Sequence, residues 1–339
     1  MFQTDQILLG HGGGGRLTAD LVARLFRPIL SDETLGQGDD AGIVEADVVG
    51  GRLAFTTDAH IVHPLEFPGG DIGRLAVCGT VNDLAMVGAR AQWLSAAFII
   101  EEGFNAERLE RLVRSMRTAQ DEAGVRLVAA DTKVAPRGKV DGLMICTSGV
   151  GLIPNGRDVR ACNARAGDAV IVSGPIGNHG IAVLAARGEL RFRAEVRSDT
   201  RPLNGLVESM FAAGLDVHAM RDPTRGGLAA SLNEIARSSS VAIVLEEDSI
   251  PVDPEVQAAC EMLGFDPMHI ANEGKLVAFV PQEQVGSAIE AMRMHPAGTA
   301  ARQIGVVEPS PQGRVLLRTS LGPTRIVDLP AGELLPRIC

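Results

Sequence analysis

Residues 71–100 read DIGRLAVCGTVNDLAMVGARAQWLSAAFII. This stretch decides the fold, because its first part reads as a helix over 71–87 and its last part as a strand over 91–100. Asp83 stands inside that helix among Val81, Leu84, Ala85 and Val87. A charge placed there needs a partner. Outward from this unit, strands over 53–57, 125–130 and 143–152 and a helix over 105–122 make the first half α/β. A helix over 16–30 precedes them, entered directly from a run of glycines. Turn chemistry at Ile153-Pro154-Asn155-Gly156 marks a boundary, and a strand over 168–173 opens a second half of the same style. Helices over 177–186, 203–213, 227–238, 254–263 and 282–294 follow, with strands over 242–246, 276–280 and 303–307 between them. The expectation is two α/β (α+β) domains, 1–153 and 154–329, and an extended tail, 330–339.

The chain has 339 residues, enough for two cores without disulfides or a structural metal. It carries 32 Lys and Arg against 42 Asp and Glu, a net charge of −10, which disfavours binding to nucleic acid. Tyr is absent and Trp occurs once, so stacking platforms and membrane belts of aromatic residues are missing. No stretch approaches the roughly 20 apolar residues of a membrane helix, and a cytoplasmic location without membrane attachment is expected. Five cysteines, at 78, 146, 162, 260 and 339, form no CxxC pair, and their odd number argues against a disulfide framework.

Four short acidic segments lie in the first half: Gly38-Asp39-Asp40-Ala41, Thr56-Thr57-Asp58-Ala59, Val81-Asn82-Asp83-Leu84 and Ala130-Asp131-Thr132-Lys133. Each abuts a strand or helix end, where side chains from separate elements converge. Magnesium takes oxygen ligands, and a few carboxylates plus nucleotide phosphates suit it. Asp39, Asp40, Asp58 and Asp83 are the candidate ligands, against the alternative that acidic loops merely solvate an acidic protein. Gly10-His-Gly12-Gly-Gly-Gly15 matches G-x-G-x-x-G formally, but only Ile7-Leu8-Leu9 stands before it as a strand, so a Rossmann fingerprint fails on context. No G-x-x-x-x-G-K-[ST] is present. A glycine flap over phosphates and an idle terminus both remain open.

Arg221-Asp222-Pro223-Thr224-Arg225-Gly226-Gly227 puts two guanidinium groups just before a helix N-terminus, and both features favour anions. Pro175-Ile-Gly-Asn178-His179-Gly180 places glycines similarly, with His179 open to a packing role. Glu273 of Asn272-Glu-Gly-Lys275 fits either a base or a turn residue. The chain ends in Cys339. A tail of ten residues sweeps about 33 Å at ~3.3 Å per residue, enough for a terminal thiol to visit its own cleft and then a partner. That is the geometry of a carrier arm, and a thiol is intrinsically nucleophilic.

Together these segments, with the ending Pro336-Arg-Ile-Cys339, resemble the HypE family of hydrogenase maturation proteins, the carbamoyl dehydratases. That family lies within the aminoimidazole ribonucleotide synthetase-like ATP-binding superfamily, and the similarity covers essentially the whole chain. It implies an N-terminal domain whose sheet pairs across a homodimer, a C-terminal domain, and ATP with Mg2+ between them. It implies that HypF loads a carbamoyl group onto the terminal thiol, that ATP-dependent dehydration turns it into a thiocyanate, and that the cyano group passes to iron on HypC–HypD. Carried over by motif, Cys339 bears the group, Glu273 is the base, and Lys133 and Asp83 orient the group or the phosphate. ATP contacts fall on Gly12, Gly13, Gly14, Gly15, Asn82, Asn178, His179, Arg221, Arg225 and Gly226. Selenophosphate synthetase, a rival of the same superfamily, uses a Cys or selenocysteine near its N-terminus, whereas the first Cys here is Cys78. A terminal cysteine would be pointless for thiamine-phosphate kinase. A nucleotide-binding scaffold without turnover is the rival from another class.

Overall fold

The computed structural model describes residues 15–21, 23–24, 41–48, 51–188, 195–329, 335 and 337–339. Of the residues singled out above, Gly12, Gly13, Gly14, Asp39 and Asp40 lie outside the described residues, as does most of the helix expected over 16–30 beyond α1 (Arg16–Leu21).

The first half contains β1 (Gly42–Val48), β2 (Gly51–His60), β3 (Glu66–Phe67), β4 (Gly70–Asp71), α2 (Ile72–Met86), β5 (Arg90–Glu101), α3 (Ala106–Ala123), β6 (Arg126–Ala135) and β7 (Leu143–Pro154). Asp71 starts α2 as its cap, accepting from the backbone N–H groups of Gly73 and Arg74 at 2.8 and 3.0 Å. Asn105 caps α3, and Gly124 ends it in the left-handed region at φ 69°. The sheet order is β1-β2-β7-β5-β6, with β5 and β6 parallel across the α3 crossover and the other neighbours antiparallel. Side chains alternate along a strand, so Ala54, Thr56, Asp58 and His60 of β2 face the helices while Phe55, Thr57 and Ala59 face away. Strand β1 was not anticipated. Strand β6 runs longer than expected, which puts Asp131, Thr132 and Lys133 within it.

In the second half β8 (Asp168–Val172), α4 (Asn178–Ala186), α5 (Asn204–Ala212), β9 (Ala219–Arg221), α6 (Gly227–Ser238), β10 (Ala242–Glu246), α7 (Pro254–Leu263), β11 (Val277–Pro281), α8 (Val285–Arg293), β12 (Arg302–Glu308), β13 (Arg314–Arg318) and β14 (Thr324–Ile326) follow. The expected helix over 282–294 is a tight turn at Gln282–Gln284 before α8 begins. The sheet order is β14-β13-β10-β12-β8-β11-β9. Leu228, Leu232 and Ile235 of α6 cover one face, and Leu206 and Met210 of α5 with Met292 of α8 cover the other. Strand β8 is therefore buried at every residue, as a run of apolar side chains covered on both faces must be.

A further core joins the halves. Val62, Leu65, Ile72 and Leu75 of the first pack with Ile181, Val183, Val256 and Ile270 of the second, and Leu335 and Ile338 of the tail lie in the same cluster. Apolar burial of this kind stabilises by about 25 cal/mol per Å2, so the tail's end is seated by the force that holds the two halves together.

Candidate functional site

The strand alternation of β2 and the helical spacing of α2 put polar groups face to face. Thr56 Oγ1 donates to Asp83 Oδ2 at 2.8 Å, and Thr80 Oγ1 donates to Asp58 Oδ2 at 2.9 Å. Each carboxylate is thus held by a hydroxyl from the other element. Thr147, opposite Asp58 on β7, has its hydroxyl 2.6 Å from Thr80, and His60 Nε2 lies 3.2 Å from Thr147 Oγ1. A carboxylate can only accept, so directionality fixes the chain: Thr80 donates to Asp58, Thr147 to Thr80, and His60 Nε2–H to Thr147. Burial, opposed by the charge of Asp58 and aided by Arg225, pushes the His60 imidazole down to about 4.

The opposite wall comes from three loops of the second half, tied together by Asn272. Its Oδ1 accepts from Gly177 N at 2.7 Å, and its Nδ2 donates to Pro223 O at 2.9 Å. Gly227, at φ 63°, passes so close to the chain at 268–270 that an added Cβ would lie 2.5 Å from Met268 O. At Gly274 a Cβ would meet Asp199 O at 1.9 Å, so glycine there lets the backbone turn Glu273 inward. Asp199 Oδ1 accepts from Glu273 N at 3.1 Å, while Lys275 Nζ lies 3.4 Å from Asp199 Oδ2.

Between these walls lies a cavity lined by Asp58 and Asp83 on one side and Arg225 and Glu273 on the other, with Cys339 reaching into it. Glu273 is 3% exposed, and its Oε1 has no hydrogen-bond partner among the described residues. Burial, with the charges of Asp222 and Asp199 beside it, holds its carboxyl well above the usual range despite Arg225. Burial likewise pushes Asp222 up to about 6, against the pull of Arg221. The charge at Cys339 raises Arg225 most, with Glu273, Asp58 and Asp83 adding to it against burial. Acids of raised proton affinity around one buried guanidinium suit proton transfer next to an anion.

The tail runs beside the segment after β2. Ile61 N donates to Cys339 O at 3.0 Å and His63 N to Arg337 O at 3.1 Å. His179 Nε2 is 2.6 Å from Ile338 O, and its Nδ1 is 2.8 Å from Ser198 Oγ. Burial lowers the His179 pKa, opposed by its bond to Ile338 and the charge of Asp199.

Of the residues named from sequence, the structure brings Asp58, Asp83, Arg221, Arg225, Glu273 and Cys339 to one cavity. Others stand elsewhere. Asn82 spends its amide on the second half, donating to Arg201 O at 3.2 Å and accepting from Leu203 N at 2.8 Å. Asn178 Nδ2 donates to Asp253 Oδ2 at 2.7 Å. His179 touches the tail, Gly226 caps α6 at φ 77°, and Gly15 O accepts from Ala19 N in α1. Lys133 is exposed on β6, its ammonium 3.6 Å from Asp131. Three strand spacings, about 14 Å at ~4.8 Å each, separate β6 from β2, so Lys133 does not reach the cavity within one chain. His60, Asp222, Thr224 and Ser231 line it without having been singled out. The available signal was adjacency, since His60 follows Asp58 by one strand period and Asp222 and Thr224 lie within the Arg221–Gly227 segment.

The donor set suits a hard cation, because Asp58 and Asp83 present carboxylate oxygens to one cavity. Among the described residues no three His, Cys, Asp or Glu side chains come close enough to hold an ion by themselves. No helix of the described residues is long and apolar enough to cross a membrane.

Residues 38–153 match the family described as AIR synthase related protein, N-terminal domain, and residues 165–318 its C-terminal domain. Carbamoyl dehydratase HypE of Rhodobacter capsulatus is 48% identical over 337 residues, covering 99% of this chain and 98% of that protein. A crystal structure of a HypE–HypF complex contains a chain that is 46% identical, with TM-score 0.86, over 91% of this chain and 99% of that one. The hydrogenase maturation protein HypE crystallised with ATP is 44% identical, with TM-score 0.82, over 98% of this chain and 100% of that one.

Proposed function

The chain belongs to the carbamoyl dehydratase HypE family of AIR synthase related proteins, and from that premise we propose that it dehydrates a carbamoyl group carried on Cys339 to a thiocyanate at the expense of ATP. The observation that supports this reading is the meeting of the terminal cysteine with Asp58, Asp83, Arg225 and Glu273 in one cavity.

A carbamoyl oxygen is a poor leaving group. Phosphorylation makes it a phosphate: the oxygen of R–S–C(=O)–NH2 takes the terminal phosphoryl group of ATP, ADP leaves, and one N–H proton is lost. Breaking the C–O bond then expels phosphate while the second N–H proton leaves, and its electron pair completes the C≡N bond. Glu273 takes the nitrogen proton, and its burial beside two other acids makes it a stronger base than an exposed carboxylate. Arg225 offsets the negative charge that gathers on the transferring group. Asp58 and Asp83, with Asp39 and Asp40, would hold Mg2+, which neutralises nucleotide phosphate charge when bound.

HypF, which the family's solved complex contains, is the proposed donor of the carbamoyl group. The HypC–HypD complex is the proposed acceptor of the cyano group that becomes an iron ligand in [NiFe]-hydrogenase. Homodimer formation through the first sheet is supported by the exposed Phe55 and Trp93 on its face away from the helices and by the exposed Val128 and Val134 of its edge strand β6. Lys133, on the edge strand of that sheet, serves a site only if a second chain brings it there.

Intact-mass analysis after incubation with HypF, carbamoyl phosphate and ATP tests the reading. The parent chain should gain a carbamoyl group and then lose one water, and Cys339→Ala should do neither while still binding ATP. Modification of Cys339→Ala would sink the assignment.

A further inference from the structure

The tail is held at three successive backbone carbonyls. Arg337 O accepts from His63 N and from half-buried Arg187 at 3.0 Å, Cys339 O accepts from Ile61 N, and Ile338 O accepts from His179. Only the last contact comes from a fully buried side chain, since His179 is 0% exposed. A carbonyl can only accept, so His179 Nε2 carries the hydrogen. Burial keeps the ring neutral, which leaves Nδ1 as an acceptor for the Ser198 hydroxyl. Ser198 Oγ in turn lies 2.6 Å from Thr200 Oγ1 and accepts from Thr200 N at 3.1 Å. Phe67 stands edge-on to the imidazole, centroids 5.3 Å apart. These contacts orient the ring without the tail, and among the described residues the tail carbonyl is the partner of the Nε2–H.

We propose that His179 is the positioning residue that latches the seated tail, reading the main-chain carbonyl of Ile338 and so holding Cys339 in the cavity. A withdrawn tail leaves a buried donor unpaired, so the latch favours the seated state. The role in catalysis rests on the carbamoyl dehydratase reading; the latch itself does not. Because a carbonyl is read, the residue before Cys339 has only to be apolar enough to fill the interdomain core.

The test uses the full chain and its His179→Ala and His179→Gln variants. Cys339 is alkylated with iodoacetamide and followed by peptide mass, with exposed Cys162 as the internal reference. Losing the bond should raise the Cys339 rate about tenfold in His179→Ala, the equivalent of ~1.4 kcal/mol, and by less in His179→Gln, whose amide can still donate. With HypF, carbamoyl loading should be no slower while dehydration slows by a similar factor, a split between the two steps that general loosening of the fold would not give. An unchanged Cys339 alkylation rate in folded His179→Ala overturns the latch. A readout needing no His179 variant is nitrogen-15 histidine NMR of the parent and of a chain ending at Pro336: the His179 Nε2–H resonance should move on truncation, and a resonance that stays put also overturns the latch. If the parent neither loads nor dehydrates, the functional reading fails while alkylation and NMR still judge the latch. Turnover in the parent with alkylation unmoved by His179→Ala defeats the latch alone.

Discussion

Thr80 on α2 donates a 2.9 Å hydrogen bond to Asp58 on β2, so a hydroxyl of the helix fixes a carboxylate of the strand at the mouth of the cavity. The same hydroxyl lies 2.6 Å from Thr147, which couples the carboxylate to His60. Thr80→Val keeps the shape and removes the bond. Magnesium-dependent ATP affinity, measured by calorimetry, should fall about tenfold, the order of one hydrogen bond to a charged group. An affinity equal to the parent's would mean that Asp58 does not need this orientation.

Glu273→Gln keeps the volume of the side chain and removes its basicity. The variant should accept the carbamoyl group at the parent's rate and accumulate it, with dehydration slowed at least a hundredfold, in line with loss of a general base. Mass analysis over time distinguishes the two forms, and normal appearance of the dehydrated form would assign the base elsewhere.

The raised carboxyl of Asp222 has a consequence for stability. Its ordinary value is 3.8 and burial brings it to about 6. Between these values the folded chain keeps a proton that the unfolded chain has released, so its contribution to stability falls as pH rises through that window. Asp222→Asn cannot titrate, and its stability relative to the parent should rise across the same interval in urea unfolding. A constant difference would show that Asp222 titrates alike in both states.

Asn82 satisfies both a backbone carbonyl and a backbone N–H of the second half. Asn82→Ala leaves these buried groups unpaired and should cost about 1–3 kcal/mol of stability, seen in denaturant unfolding. If stability is unchanged and ATP affinity collapses instead, the residue contacts nucleotide and is not a brace between domains.

Val128 and Val134 stand on β6, 60% and 67% exposed in the single chain. Replacing both by Glu should convert a sheet-paired dimer to a monomer in sedimentation, since charges cannot be buried there without partners. A dimer that persists would place its interface on another surface.

The alternation of helix and strand and the family itself were legible in the chain, because periodicity is local and the motifs that carry the family are short. The acidic segments of Asp58 and Asp83 and the arginine segment of Arg225 were legible as separate motifs, and the fold brings them to one cavity. Strand β14 escaped, because three residues exposed throughout carry too little period to read. Asn82 and Asp83 are neighbours in sequence, yet one braces the second half and the other faces the cavity. A helix turns 100° per residue, so adjacent side chains point apart, and only the packing of α2 between two domains decides which faces what. His60 shows only its adjacency to Asp58 in sequence; its hydrogen-bond partner Thr147 lies 87 residues away and is brought to it by the pairing of β2 with β7. The sequence by itself determined that Cys339 carries a thiol on the arm of chain 330–339. Tertiary structure alone decided that the arm is seated, because Ile338 and Leu335 find apolar partners from both domains only once those domains have packed together.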